Sequence, residues 1–125
     1  MKTTTTKILT VLFLATFLSS CNINMFNRVN GNRNVVTEDR TTKEAFTKVR
    51  VSNGLDLYIS QGSKNKITVE ADENLQEIII TEVINGELKI YAEKNIWSAK
   101  ARKIHVTVNN LETLIATSGA DVYAK

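Results

Sequence analysis

From Val35 onward, apolar and polar side chains alternate with a period of two. Leu55, Leu57 and Ile59 alternate with Asp56, Tyr58 and Ser60. Ile67, Val69 and Ala71 alternate with Lys66, Thr68 and Glu70, and Ile104, Val106 and Val108 with His105, Thr107 and Asn109. Each run predicts a strand with one buried face. No stretch repeats apolar residues at helical spacing; Asp72 to Gln76 has room for one turn, and Asn95 to Arg102 is ambiguous. Asn85-Gly86 predicts a two-residue hairpin, because both residues tolerate the positive φ of a type I′ turn. Closing it there opposes Val83 to Leu88, Glu82 to Lys89, Thr81 to Ile90 and Ile80 to Tyr91, which places an opposite-charge pair on the outer face. Asn53-Gly54 carries the same turn signal between Val51 and Leu55. The chain contains no proline, in keeping with continuous strand pairing.

Two segments repeat without a gap. Phe46 to Ile59 aligns with Leu111 to Ala124, so that Gly54 matches Gly119, Asp56 matches Asp121, Tyr58 matches Tyr123 and Val49 matches Leu114. The shared unit is an apolar strand, a hydroxyl residue, a glycine corner and then hydrophobic-Asp-hydrophobic-Tyr. Glycine supplies a backbone conformation closed to most residues, and each aspartate is expected to hydrogen-bond the backbone of its own corner. Repetition of one strand-corner-strand unit predicts an all-β, solenoid-like stack of short strands; an antiparallel β-sandwich is the alternative. The second copy stops at Lys125, which predicts that the natural domain continues past this chain or that a partner covers its end.

The first residues have a different character. Lys2 and Lys7 precede an apolar run from Ile8 to Leu18, long enough for a signal h-region and well short of the ~20 residues that cross a bilayer. Leu18-Ser19-Ser20-Cys21 follows: an apolar residue, two small ones and the only cysteine of the chain. This pattern predicts signal cleavage before Cys21 and acylation of its thiol. Asn22, in place of an aspartate, favours the outer membrane and leaves open whether the protein faces the periplasm or the surface. The expected organisation is therefore a signal peptide over 1–20, a lipidated, asparagine-rich tether over 21–34 that cannot order itself, and a β domain over 35–125.

Charge and chemistry narrow the function. The precursor carries 16 basic and 13 acidic side chains, for a net charge of +3. Without Lys2 and Lys7 the balance is 14 against 13, which is no footprint for nucleic acid. His105 is the only histidine and falls at an outward strand position; with Cys21 acylated, neither a thiol nucleophile nor a zinc ligand set remains. No cofactor or metal site is expected. Asp56 and Asp121 are the only seeds for carboxylate chemistry. Trp97 is expected to cap the end of a sheet; exposed, it would stack on a sugar or touch lipid. Lys94, Lys100, Arg102 and Lys103 form a small basic cluster around it.

Several separated motifs resemble one family. Gly31-Asn32-Arg33-Asn34-Val35-Val36-Thr37-Glu38, Phe46 through Gln61-Gly62, Val69 through Leu75, Leu88-Lys89-Ile90-Tyr91 and Ser118-Gly119-Ala120-Asp121 are similar to the head GIN domain family of putative auto-transporter adhesins. The resemblance spans Gly31 to Lys125. It implies a β-helix of the pectin-lyase type on a lipoprotein, with more Ser-Gly-x-Asp coils than are present here. The resulting expectation is a non-enzymatic lipoprotein, held to the membrane at Cys21, that presents a β-helical surface to a polysaccharide or protein in adhesion or envelope scaffolding. The alternatives are a carbohydrate-binding module using Trp97, Tyr58, Tyr91 and Tyr123, and a polysaccharide-cleaving enzyme built on Asp56 and Asp121.

Overall fold

A computed structural model describes residues 28–125; the predicted signal segment and Cys21 lie outside the described residues. Among the described residues eleven strands form an all-β architecture: β1 Arg28–Asn30, β2 Val35–Arg40, β3 Lys48–Val51, β4 Asp56–Gln61, β5 Lys66–Asp72, β6 Ile79–Ile84, β7 Glu87–Ala92, β8 Asn95–Ser98, β9 Arg102–Val108, β10 Thr113–Ala116 and β11 Asp121–Ala124. A 3-10 turn among the described residues, at Glu73–Leu75, falls where one turn was expected.

The strands form a five-stranded sheet in the order β11-β4-β9-β5-β2, a four-stranded sheet in the order β10-β3-β7-β6, and a small β1-β8 pair. Period-two alternation places one face of each large sheet in a shared aliphatic core. Val49, Val51, Leu88 and Ile90 from the four-stranded sheet meet Leu57, Ile59, Val69, Ile104 and Val106 from the five-stranded one. Leu55, Leu57, Val69, Ile79, Leu88 and Ile104 are fully buried. At about 25 cal/mol per Å2 of buried apolar surface, each such side chain contributes roughly 1.5–3 kcal/mol. Arg40 closes one flank. Its guanidinium donates to the carbonyls of Ile79 and Gln76, and the Gln76 amide donates to those of Val36 and Val69.

This two-layer arrangement fits the sandwich alternative, with mixed rather than uniformly antiparallel ladders. The solenoid expected from the repeat does not describe the two sheets as a whole. β2, β5 and β6 run antiparallel to their neighbours, of which only β6 and β7 are consecutive strands joined as a hairpin. The Asn85-Gly86 hairpin has the anticipated register, Val83 opposite Leu88 and Glu82 opposite Lys89, with φ of 52° and 77° at its two turn residues.

Asn53-Gly54 has the same backbone signature, φ 61° and 68°, but β3 and β4 belong to different sheets. The turn is a corner that carries the chain from one layer to the other. Ser118-Gly119, at 52° and 77°, makes the equivalent corner in the second copy, and the Gly54 N–H donates to the Ser118 carbonyl at 3.0 Å. The two copies lie side by side, parallel and in register. Val49 pairs with Leu114, Asp56 with Asp121, and Tyr58 with Tyr123.

Arg28–Asn34, expected to belong to the tether, are part of the folded body. β1 pairs in parallel with β8. The next residues are caught by the end of β5 and the turn after it. The buried Asp72 carboxylate accepts N–H groups from Arg33, Lys100 and Ala101 at 2.9–3.0 Å. Asn74 accepts from the Asn32 N–H and donates to the Asn30 carbonyl, and the Glu73 N–H donates to the Asn34 carbonyl. The segment is ordered mainly by its backbone groups, with Val29 packed against the aliphatic core.

Candidate functional site

The outer face of the five-stranded sheet gathers most of the residues singled out in the sequence. Because β11, β4 and β9 are parallel and in register, residues at equal height form rows across the sheet. One row is aromatic. Tyr123 stacks on Tyr58 with ring centroids 4.8 Å apart and planes 19° from parallel, and Tyr58 stacks on His105 at 5.2 Å and 24°. The ammonium groups of Lys125 and Lys103 lie 5.2 and 5.7 Å from the Tyr58 ring centroid, within the range of a cation–π attraction.

His105 is more engaged than a solvent-facing strand residue. Its Nε2 lies 3.2 Å from Glu70 Oε1, and Lys125 Nζ lies 3.3 Å from Nδ1. An ammonium has no acceptor capacity, so Nδ1 accepts from Lys125 and Nε2 donates to the carboxylate.

The adjoining row is charged: Asp121, Asp56, Lys103 and Glu70. Burial raises the Asp56 pKa, the neighbouring Asp121 charge raises it further, and Arg102 and Lys103 pull it back in part. Asp121 then burial, Asp56 and Tyr58 raise that of the Tyr123 phenol. Among the described residues, neither aspartate hydrogen-bonds its corner, contrary to the expected structural role of Asp56 and Asp121. Both carboxylates belong to the strand that follows the corner and stand on the outer face. The Asn53 side chain serves the corner instead, its Oδ1 accepting the Ala92 N–H at 3.1 Å. Gly54 and Gly119 hold the positive φ.

The four aromatic residues proposed as one contact surface do not share a face. Tyr91 lies on β7 in the other sheet, where its hydroxyl donates to Glu82 Oε1 at 3.2 Å; burial, then this carboxylate, raises its pKa. Trp97 lies on β8 and is 59% exposed, so it does not cap a sheet. Ile96 points into the core, so alternation along β8 turns Trp97 outward, and the ladder skips it, since Val29 pairs with Ile96 and Asn30 with Ser98. The Arg28 guanidinium lies 3.8 Å over its ring.

Stacking on a sugar requires a free ring face. Both faces of Tyr58 are occupied, by His105 and Tyr123, whereas Tyr123 is 46% exposed on the edge strand. Among the described residues no group of His, Cys, Asp and Glu has the arrangement of a metal site. An open cleft of about 410 Å3 between residues 39 and 67 is lined by Arg40, Lys43, Glu44 and Lys66 and includes neither Asp56 nor Asp121. Cys21 lies outside the described residues. The latch of Gly31 and Asp72–Asn74 was missed in the sequence, although those residues lie within the motifs that carry the family resemblance.

A family model described as "Putative auto-transporter adhesin, head GIN domain" matches residues 45–125. The chain belongs to the head GIN family. Solved structures with a similar fold include a putative adhesin from Parabacteroides merdae, 19% identical with a TM-score of 0.68 over 79% of this chain and 42% of that one. Another is a putative adhesin from Bacteroides fragilis, 19% identical with a TM-score of 0.70 over 78% of this chain and 46% of that one. A third, from Parabacteroides distasonis, is named a putative lipid binding protein; it is 23% identical, with a TM-score of 0.68 over 78% of this chain and 44% of that one. The head GIN chain thus spans less than half the length of each, and at these identities the likeness shows the fold alone. No curated protein matches the chain. No helix among the described residues is long and apolar enough to cross a membrane.

Proposed function

We propose that this head GIN protein is a lipid-anchored, non-enzymatic protein of the cell envelope that presents a rigid, regularly spaced face to an extended polymer, in adhesion or envelope scaffolding. The observation that carries this reading is the in-register pairing of the two repeat copies. It sets Asp56 beside Asp121 and Tyr58 beside Tyr123, at the ~4.8 Å spacing of neighbouring strands. The parallel runs β7-β3-β10 and β9-β4-β11 are in this reading two faces of a β-helical stack, to which the antiparallel strands β6, β5 and β2 are added. A flat face with repeating polar and aromatic rows suits a partner that is itself extended. The names of the structural relatives point the same way, and Leu18-Ser19-Ser20-Cys21 supplies the anchor.

Polysaccharide cleavage is disfavoured by geometry. Glycosidase carboxylates flank the scissile bond, whereas Asp56 and Asp121 are neighbours in one row of a sheet face. A sugar-binding reading rests on Tyr123, 46% exposed among the described residues.

The test is adherence of cells that carry the full-length protein to surfaces coated with envelope polysaccharide or with protein. Asp121→Lys and Tyr123→Ser should each lower retention at least several-fold while leaving the amount of protein in the membrane fraction unchanged. Retention equal to wild type for both variants on every coating would refute the assignment of this face.

A further inference from the structure

We infer that the β1/β8 end of the domain docks on the anionic bilayer that holds the anchor, with Trp97 seated at the headgroup level. The inference rests on the proposed acylation of Cys21 and goes beyond it, since an anchor alone leaves the orientation of the domain free.

Three observations converge on this end. The first is chain length. Arg28 is seven positions after Cys21, with six residues between them, so β1 starts no more than about 25 Å from the acylated residue even when that chain is fully extended. The second is Trp97, the only tryptophan of the protein and 59% exposed. Strand alternation turns it away from the core while its neighbour Ile96 is buried, and the β1/β8 ladder skips it. An indole with an apolar body and a polar N–H is suited to the membrane–water boundary. The third is charge. Arg28, Arg33, Lys94 and Lys100 are all exposed around it, against the exposed acids Glu73 and Glu93. Arg28 lies over the indole itself, while Arg33 and Lys100 are brought together by backbone bonds to the same Asp72 carboxylate. Basic residues close to a bilayer are attracted by anionic lipid.

The Asp72 latch thereby gains a second consequence. It fixes the segment leading from the anchor to the body of the domain, so that Trp97 and the cations share one rigid end. The ladder of Tyr58 and Tyr123 is on a different element and is left available to a partner.

Because Trp97 is the sole tryptophan, its fluorescence reports this site alone. Full-length protein isolated from membranes in detergent is reconstituted into vesicles of phosphatidylcholine, with or without phosphatidylglycerol, whose acyl chains are brominated near the headgroup. Flotation of the vesicles, with mass spectrometry of the amino terminus, reads the anchor separately. Docking predicts at least twofold stronger quenching in the anionic vesicles, reversal by high salt, and loss of the difference in the Lys94→Glu, Lys100→Glu double variant, which still floats. Flotation with weak quenching that is equal in both vesicles would overturn the docking while leaving the anchor standing. An unmodified Cys21 with no flotation would overturn the anchor, and the docking with it.

Discussion

Replacing Asp72 with asparagine preserves the shape of the side chain and removes its charge. The carboxylate is fully buried and accepts backbone N–H groups from Arg33 at 3.0 Å, Lys100 at 3.0 Å and Ala101 at 2.9 Å. An amide retains one acceptor oxygen and turns an NH2 group towards donors, so at least one buried N–H loses its partner. An orphaned buried donor costs about 1–3 kcal/mol, and hydrogen bonds to a charged acceptor are worth more than neutral ones. Asp72→Asn should therefore destabilise the protein by roughly 3 kcal/mol. At about 4–8 °C per kcal/mol for a domain of this size, the melting temperature falls by roughly 12–24 °C.

The pH dependence supplies an independent check. Burial alone would raise the Asp72 pKa, but the bonds from Ala101, Lys100 and Arg33, aided by the Arg33 charge, hold it below its ordinary value of 3.8. A carboxylate with a depressed folded pKa stabilises fully above its unfolded pKa, and that contribution is lost as pH falls through the folded value. Urea unfolding followed by far-ultraviolet circular dichroism at pH 7, 5, 4 and 3 measures the gap between wild type and variant. The gap should be constant from pH 7 to about 5 and shrink below about 4. A gap under about 0.5 kcal/mol at neutral pH, the range of an ordinary surface substitution, would refute the latch. So would a gap as wide at pH 3 as at pH 7.

Three other outcomes follow from the same geometry. A Cβ on Gly31 would overlap Asp72 Oδ2, so Gly31→Ala should destabilise by a similar amount and, combined with Asp72→Asn, add far less than the sum in a double-mutant cycle. Gly119→Ala meets nothing within 4 Å but must hold a φ of 77°, and its cost by thermal unfolding should be only about 1–2 kcal/mol. Asp121→Asn removes the first cause of the raised Tyr123 pKa, so the phenol, followed by absorbance near 295 nm, should titrate at lower pH than in wild type.

The strands were legible because period-two alternation is imposed directly by the core, as Leu57 and Ile104 show. The Asn85-Gly86 hairpin was legible because its φ values suit few other residue pairs. The corner at Asn53-Gly54 looked the same for a physical reason. Local backbone conformation specifies how sharply the chain turns and leaves open which sheet receives the next strand. The repeat gave the equivalence of Asp56 with Asp121 and of Tyr58 with Tyr123; their pairing depends on how β4 and β11 meet. Arg28–Asn34 read as a tether because their order comes from Asp72, Glu73 and Asn74, some forty residues away in sequence. Trp97 was misplaced because Asn95 to Arg102 gave no clear strand signal, and it is the strand alternation about buried Ile96 that turns the indole outward. His105 was placed correctly on the outer face, but its contacts with Tyr58, Glu70 and Lys125 come from three other strands or segments.

The proposed binding face stands or falls with the alignment of β11 on β4. Nuclear Overhauser spectra of the isotopically labelled protein report it directly. The account predicts cross-peaks between the rings of Tyr58 and Tyr123 and between the methyl groups of Leu57 and Val122. A slip by one residue would turn Val122 outward and Tyr123 into the core; contacts from the Tyr123 ring to Leu57, with none to Tyr58, would contradict the shared face.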